Sequence, residues 1–271
     1  MNTLENPLIH PTAVIHPSAQ IAEGVEIGPF AVIGPDVILS ARVRVGPHAV
    51  LEFAEVGEAC QIHASAFVGT APQDLKYRGE KTKLVLGTGC VVRECATLNR
   101  GTAATGVTRI GARCLFMAYA HVAHDCIIGS EVIVANSVAI AGHVEIGEGA
   151  VLGGLSAIHQ FARIGKLAMI GGGAMVPLDV PPFTLAQGDR ARLVGLNLIG
   201  LRRRGYTVDD INALKRTYRS LFSSTTPLKD QLSVMAADST LPAVVREMIE
   251  FLQTSPRGTC RPANRNSVLE D

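Results

Sequence analysis

The chain has 271 residues, a formal net charge of +1, 47% hydrophobic and 4% aromatic residues, and no tryptophan. Near-neutral charge argues against a general electrostatic pull toward nucleic acid. Met1–Pro7 lacks the apolar core of a secretory leader, and no apolar run is long enough for a transmembrane helix.

Beyond a short extension at 1–8, aliphatic residues recur every sixth position: Ile9, Ile15, Ile21, Ile27, Ile33, Leu39 and Val45. The series then slips by one residue to Val50, Val56, Ile62 and Val68. It resumes at Leu86, Val92 and Leu98, and again at Ile110, from which large apolar residues keep the spacing unbroken to Val176. Six is the period of neither a strand face nor a helix face. A short fixed period marks a stacked repeat, here a parallel β-helix in which three hexads close one triangular coil of eighteen residues. Glycine often follows the aliphatic residue, as at Gly28, Gly46, Gly111, Gly129 and Gly147, which suits sharp corners with φ > 0.

Cys60, Cys90, Cys114 and Cys126 fall four residues after an aliphatic position, a slot elsewhere filled by Ala120, Val132 and Ser156. They read as reduced core thiols, with no C-x-x-C pair to suggest zinc, and reduced thiols fit the cytoplasm. Two polar segments, 70–83 and 102–109, interrupt the repeat without changing its phase, so they project as loops from a β-helix spanning 9–183. Loops on a rigid scaffold are where binding groups concentrate. A helical domain is expected over 184–255. Thr207 caps a helix there that carries Ile211, Leu214, Tyr218 and Leu221 on one face, and Pro227 and Pro242 open further helices. The polar, aperiodic stretch 256–271 reads as a frayed tail.

The coil acts as a coordinate system. Counted from Ile110 in steps of eighteen, His121, His124, His143 and His159 all fall between the eleventh and fifteenth positions of three successive coils. Coils lie about 4.8 Å apart, so the four should share one outward column. Such a column suits a zinc site like that of the β-helical carbonic anhydrases, a general base, or plain substrate binding. The carbonic anhydrase pattern is a histidine pair five apart on one coil, whereas His121 and His124 are three apart. Asp125, adjacent to His124, can orient an imidazole and supports the base. A purely structural β-helix predicts no such column.

The [LIV]-G-x-x-x-x repeat resembles that of the left-handed β-helix acyltransferases, and the handedness is expected from that resemblance. More specific motifs are QDLKY at Gln73–Tyr77, NRGT at Asn99–Thr102, HVAHDC at His121–Cys126, AGHV at Ala141–Val144, IHQF at Ile158–Phe161, DVPPF at Asp179–Phe183 and GLNLIGLRRRGY at Gly195–Tyr206. Together, over about residues 8–258, they resemble the UDP-N-acetylglucosamine O-acyltransferases that begin lipid A synthesis.

The resemblance implies transfer of a 3-hydroxyacyl chain from acyl carrier protein to the sugar's 3-position, without cofactor or metal, in a homotrimer with sites between subunits. It implies His124 as general base with Asp125 its partner, and the Gly142 N–H as oxyanion donor. It places Gln73, Asp74, Lys76, His121, His143, His159 and Gln160 around the substrates, and Asn197, Arg203 and Arg204 at the nucleotide. Gly172 matches the position that sets acyl length, and glycine there implies a long chain. Arg190, Arg192, Lys215, Arg216 and Arg219 are candidate contacts for the acidic carrier. Asn99 stands where many relatives carry His, and Ile199 where a carboxylate is usual, so a 3-amino sugar is an alternative acceptor.

Overall fold

The computed structural model describes residues 6–223 and 226–263. Strands of two to four residues alternate with corners from Leu8 to Val176 and stack into three parallel sheets of nine, nine and eight strands, the three faces of a triangular prism. The coil is a left-handed parallel β-helix. The first face starts at Leu8–Ile9, the second at Val14–Ile15 and the third at Gln20–Ile21.

The hexad arithmetic holds. His121 pairs with Ala139, Ala139 with Ala157, and Ala157 with Met175, each one coil further along. Every aliphatic position from Ile110 to Val176 is buried, as are Cys60, Cys90, Cys114 and Cys126 in the small slot behind them. The narrow prism has room for one large and one small side chain per hexad, which explains the scarcity of aromatics. Ile9, Ile15 and Ile21 are less covered because they lie on the first coil among the described residues.

Four expectations need correction. Leu51, not Val50, is the inward residue: it is fully buried and pairs in register with Ile33 and Val68. The slip comes one strand later, where Leu39 pairs with Val56 across a shortened corner at Phe53. Apart from Gly69, the glycines after the aliphatic residues do not carry the positive φ. That falls on the third residue after the aliphatic, as at Arg113 (56°), Asp125 (59°), Glu131 (60°) and His143 (61°). The glycines serve close approach instead: a Cβ on Gly147 would stand 2.4 Å from Lys166 N on the next coil, and one on Gly129 2.7 Å from Glu148 N.

Beyond the coil, an antiparallel hairpin of Thr184–Gln187 and Arg192–Leu196 extends the first face before any long helix begins. The helices are α1 (Leu198–Arg203), α2 (Val208–Ser223), α3 (Leu228–Ala236) and α4 (Ala243–Gln253). Thr207 Oγ accepts from Asp210 N at 3.1 Å and opens α2 as expected. Ile211, Leu214 and Leu221 join Met248 and Leu252 in a second core with Phe183 and Leu167 of the last coils. The segment 256–263 is not a frayed end. Cys260 N donates to Asp179 O at 2.8 Å and Ala263 N to Leu193 O at 2.8 Å, and Cys260 is buried. Residues 264–271 lie outside the described residues.

Candidate active site

The corner between the second and third faces carries the histidines. After each inward aliphatic residue the chain turns in three residues: Ala123–Asp125, Ala141–His143 and His159–Phe161 on successive coils. Asp125 takes the left-handed third position, covered by Thr102 and Thr105 of the second loop, and His124 beside it is half-buried. Asp125 is 4% exposed. Its Oδ2 accepts from His124 Nδ1 at 2.8 Å and from Thr102 Oγ1 at 2.6 Å. Its Oδ1 accepts from Thr102 N at 2.9 Å and from the Thr105 hydroxyl. Its own N–H donates to Thr108 Oγ1 at 2.9 Å. Burial alone would raise the carboxyl; the bonds from Thr102, Thr105 and His124 outweigh it and hold it at about 2.

An ionised Asp125 that accepts the Nδ1–H leaves the lone pair of His124 on Nε2. The imidazole lies against Gly142, where a Cβ would stand 2.7 Å from Cε1 and 2.8 Å from Nε2. Only glycine fits beneath the ring. Gly142 is itself buried, and its N–H donates to no acceptor among the described residues. A basic nitrogen and a free backbone donor therefore sit side by side.

The other histidines are close but differently held. His143 crosses His124 edge-on with ring centroids 5.1 Å apart, stacks on Phe161 at 4.6 Å, and brings Nε2 to 3.8 Å from Asp125 Oδ2. His121 Nδ1 bonds Thr97 Oγ1 at 2.7 Å; burial, then the charge of His124, pushes its pKa down, favouring the neutral ring. His159 is on the same corner but does not bond the other three. Its Nδ1 meets Gln160 O at 2.9 Å and Arg257 Nη2 at 3.3 Å, and the Gln160 side chain is exposed. His124, Asp125 and His143 could offer ligand atoms to a cation within one 4.8 Å cluster. The oxygens of Asp125 are already taken up by Thr102, Thr105 and His124, so a metal would displace existing bonds.

Both loops leave the same corner. The first runs from the strand Phe67–Thr70 to Lys83–Leu86, with Gln73 and Lys76 exposed and Asp74 Oδ1 accepting Lys76 N at 3.0 Å. Among the described residues it makes no hydrogen bond to the four histidines. The remaining candidates lie elsewhere. Asn197 caps α1: its Oδ1 accepts Gly200 N and its Nδ2 donates to Leu167 O, both at 2.9 Å. Arg204 pairs with Glu131 at the corner of the third and first faces, and Arg203 is exposed beside it. Gly172 is exposed at the corner of the first and second faces, above Gly154, whose oxygen lies 3.4 Å from where its Cβ would be. One chain thus distributes its candidate residues over all three corners.

Sequence reasoning missed the threonines. Thr102 belongs to the NRGT motif, but nothing in the hexad pattern marked it, Thr105 and Thr108 as the cradle of Asp125. The usable signal was stacking: the second loop leaves the stack one coil before Asp125, at the same corner.

Residues 179–260 match the family model described as UDP-N-acetylglucosamine O-acyltransferase, domain 2. Residues 108–142 match the bacterial transferase hexapeptide model, and 9–105 that of the GMPPB C-terminal domain. The chain is 48% identical over 255 residues to the acyl-[acyl-carrier-protein]–UDP-N-acetylglucosamine O-acyltransferase of Myxococcus xanthus, an alignment covering 93% of this chain and 99% of the relative. It is 46% identical over 277 residues to the enzyme of the same name from Trichlorobacter lovleyi, with the same coverage. Among solved structures, the UDP-N-acetylglucosamine acyltransferase from Campylobacter jejuni superposes with a TM-score of 0.89 at 37% identity, over 95% of this chain and 100% of the other. That from Bacteroides fragilis gives 0.91 at 36% identity, over 94% and 100%.

Proposed function

The chain belongs to the acyl-[acyl-carrier-protein]–UDP-N-acetylglucosamine O-acyltransferases, and from that premise we propose that His124 and Asp125 form the base that drives its acyl transfer. The enzyme catalyses the first step of lipid A biosynthesis, moving an acyl chain from acyl carrier protein to the sugar nucleotide. The names of its relatives specify O-acylation, which favours the 3-hydroxyl over a 3-amino acceptor.

The observation that carries the mechanism is a buried, ionised Asp125 fixing the Nδ1–H of His124 while Nε2 lies against Gly142, whose N–H meets no acceptor among the described residues. His124 Nε2 takes the proton of the 3-hydroxyl as its oxygen attacks the thioester carbonyl. The tetrahedral oxyanion accepts a hydrogen bond from Gly142 N–H, a preorganised donor that costs no rearrangement. Collapse breaks the carbon–sulfur bond, and His124 returns the proton to the departing thiol. Asp125 stabilises the imidazolium between the two steps.

The neutral ring of His121, with His143, His159 and Gln160, lines the path of the sugar and the thioester. Gln73, Asp74 and Lys76 on the first loop, and Arg203 and Arg204 at the C-terminal end of α1, bind from a neighbouring copy. A planar guanidinium suits the diphosphate. Asn197 acts through the cap it makes on α1, and Gly172 leaves the acyl groove open to a long chain. The distribution over three corners supports a homotrimer, since a threefold arrangement would bring different corners of adjacent copies together. No helix among the described residues is long and apolar enough to cross a membrane.

The test is His124→Ala. Turnover should fall by about 10³-fold or more while thermal unfolding stays at wild-type temperature. Wild-type turnover in this variant rules out His124 as the base.

A further inference from the structure

We propose that Arg100 is a positioning residue for this reaction, locking the first loop so that Gln73, Asp74 and Lys76 face substrate. The proposal rests on the reading of that loop as substrate-binding. Arg100 follows the strand Thr97–Asn99 at the corner where the loop leaves the coil below, and it is only 7% exposed. A buried guanidinium is costly unless its donors are met.

Here Nη1 and Nε are met, the one at the mouth of the loop and the other within it. Nη1 donates to Gly69 O at 2.9 Å and to Glu52 Oε2 at 3.3 Å, and the backbone N donates to Thr70 O at 3.1 Å; these contacts hold the mouth of the loop. Nε donates to Tyr77 Oη at 3.1 Å in mid-loop. The guanidinium also lies over Phe53 at 4.5 Å and faces the Tyr77 ring at 5.5 Å.

Tyr77 passes the constraint on. Its hydroxyl donates to Glu80 O at 2.9 Å, and its N–H donates to Asp74 O at 3.0 Å. Asp74 Oδ1 in turn accepts from Lys76 N. One side chain thus connects the scaffold to the two charged residues read as substrate contacts. Gly69 is part of the same design: at φ +76°, a Cβ would stand 2.0 Å from Glu52 O. Within the loop, the ion pair of Lys81 with Asp36 at 3.1 Å is exposed and contributes little. The tip is bare, with Leu75 94% exposed. Lysine cannot replace Arg100, because a point charge cannot stack on Phe53 while meeting Gly69, Glu52 and Tyr77 in one plane.

The experiment compares wild type, Arg100→Lys, Tyr77→Phe and Lys76→Ala by steady-state kinetics, thermal unfolding and limited trypsin digestion of the intact enzyme. Lys76, Arg78 and Lys81 are exposed cleavage sites in the loop. Arg100→Lys should unfold near the wild-type temperature and be nicked in the loop about tenfold faster. Its KM for one substrate should rise about tenfold, equivalent to about 1.4 kcal/mol, with kcat within about threefold. Tyr77→Phe should shift both readouts in the same direction by less. Nicking of Arg100→Lys at the wild-type rate overturns the lock. Faster nicking with unchanged KM, in a protein where Lys76→Ala does raise KM, overturns the positioning role. A wild-type KM in Lys76→Ala overturns the substrate reading of the loop, while the nicking rates still judge the lock.

Discussion

Thr102→Val removes the hydroxyl that donates to Asp125 Oδ2 at 2.6 Å, the same oxygen that accepts from His124 Nδ1. Valine fills nearly the same volume, so no cavity opens. The Thr102 N–H and Thr105 hydroxyl still serve Oδ1. At 4% exposure, Asp125 gains no bulk water in exchange. A hydrogen bond to a buried charge contributes roughly 1.5–3 kcal/mol, so a loss of about 2 kcal/mol is expected at neutral pH. Deleting the bond also raises the Asp125 pKa from its held value of about 2. A carboxyl depressed on folding adds stability that is full above its unfolded pKa of about 3.9 and is lost as pH falls through the folded value. The stability gap between wild type and variant should therefore be full at pH 7 and close between about pH 4 and pH 2. With Asp125 less firmly held, His124 is less well aimed, and kcat should fall about tenfold with little change in KM. Urea unfolding at both pH values and fixed protein concentration, with kcat at neutral pH, tests this. A gap that persists undiminished at low pH, or an unchanged kcat, refutes the reasoning.

Gly142→Ala puts a methyl within 2.8 Å of His124 Nε2 and must swing the ring aside; kcat should fall on the order of 10²-fold with the fold retained. Thiol titration of native enzyme should label half-buried Cys95 first. Cys60, Cys90, Cys114, Cys126 and Cys260 should react only on unfolding, since all are buried and burial pushes Cys126 to about 12 and Cys260 to about 11. Gly172→Met should shift preference from longer to shorter acyl-carrier thioesters in a competition assay. An unchanged chain-length profile removes Gly172 from the acyl groove.

The prism was legible because hexads repeat a single environment: one inward aliphatic residue, one small residue behind it, one tight corner. That regularity also located the histidines, since stacking turns positions in sequence into neighbours in space. Local departures were harder to place. Whether the phase changes at Val50 or after Leu51 is decided by which of two adjacent aliphatic residues packs inward, and either satisfies a hydropathy pattern. The glycine positions were visible, but their cause was inter-coil distance rather than φ, and distance is a tertiary property. Thr102, Thr105 and Arg100 act through loops, whose path the repeat does not dictate. The strap at 256–263 looked polar and aperiodic, yet backbone pairing with Asp179 and Leu193 orders it without any apolar pattern beyond Cys260.

The most direct measurement is mass spectrometry of the product from purified enzyme, a 3-hydroxyacyl thioester of acyl carrier protein and UDP-N-acetylglucosamine, run beside His124→Ala. Wild type should yield one acyl ester per sugar nucleotide and free carrier thiol in equal amounts, and the variant should yield neither. Thioester consumption without acylated nucleotide, or equal product from the variant, contradicts a His124-driven acyl transfer at this corner of the β-helix.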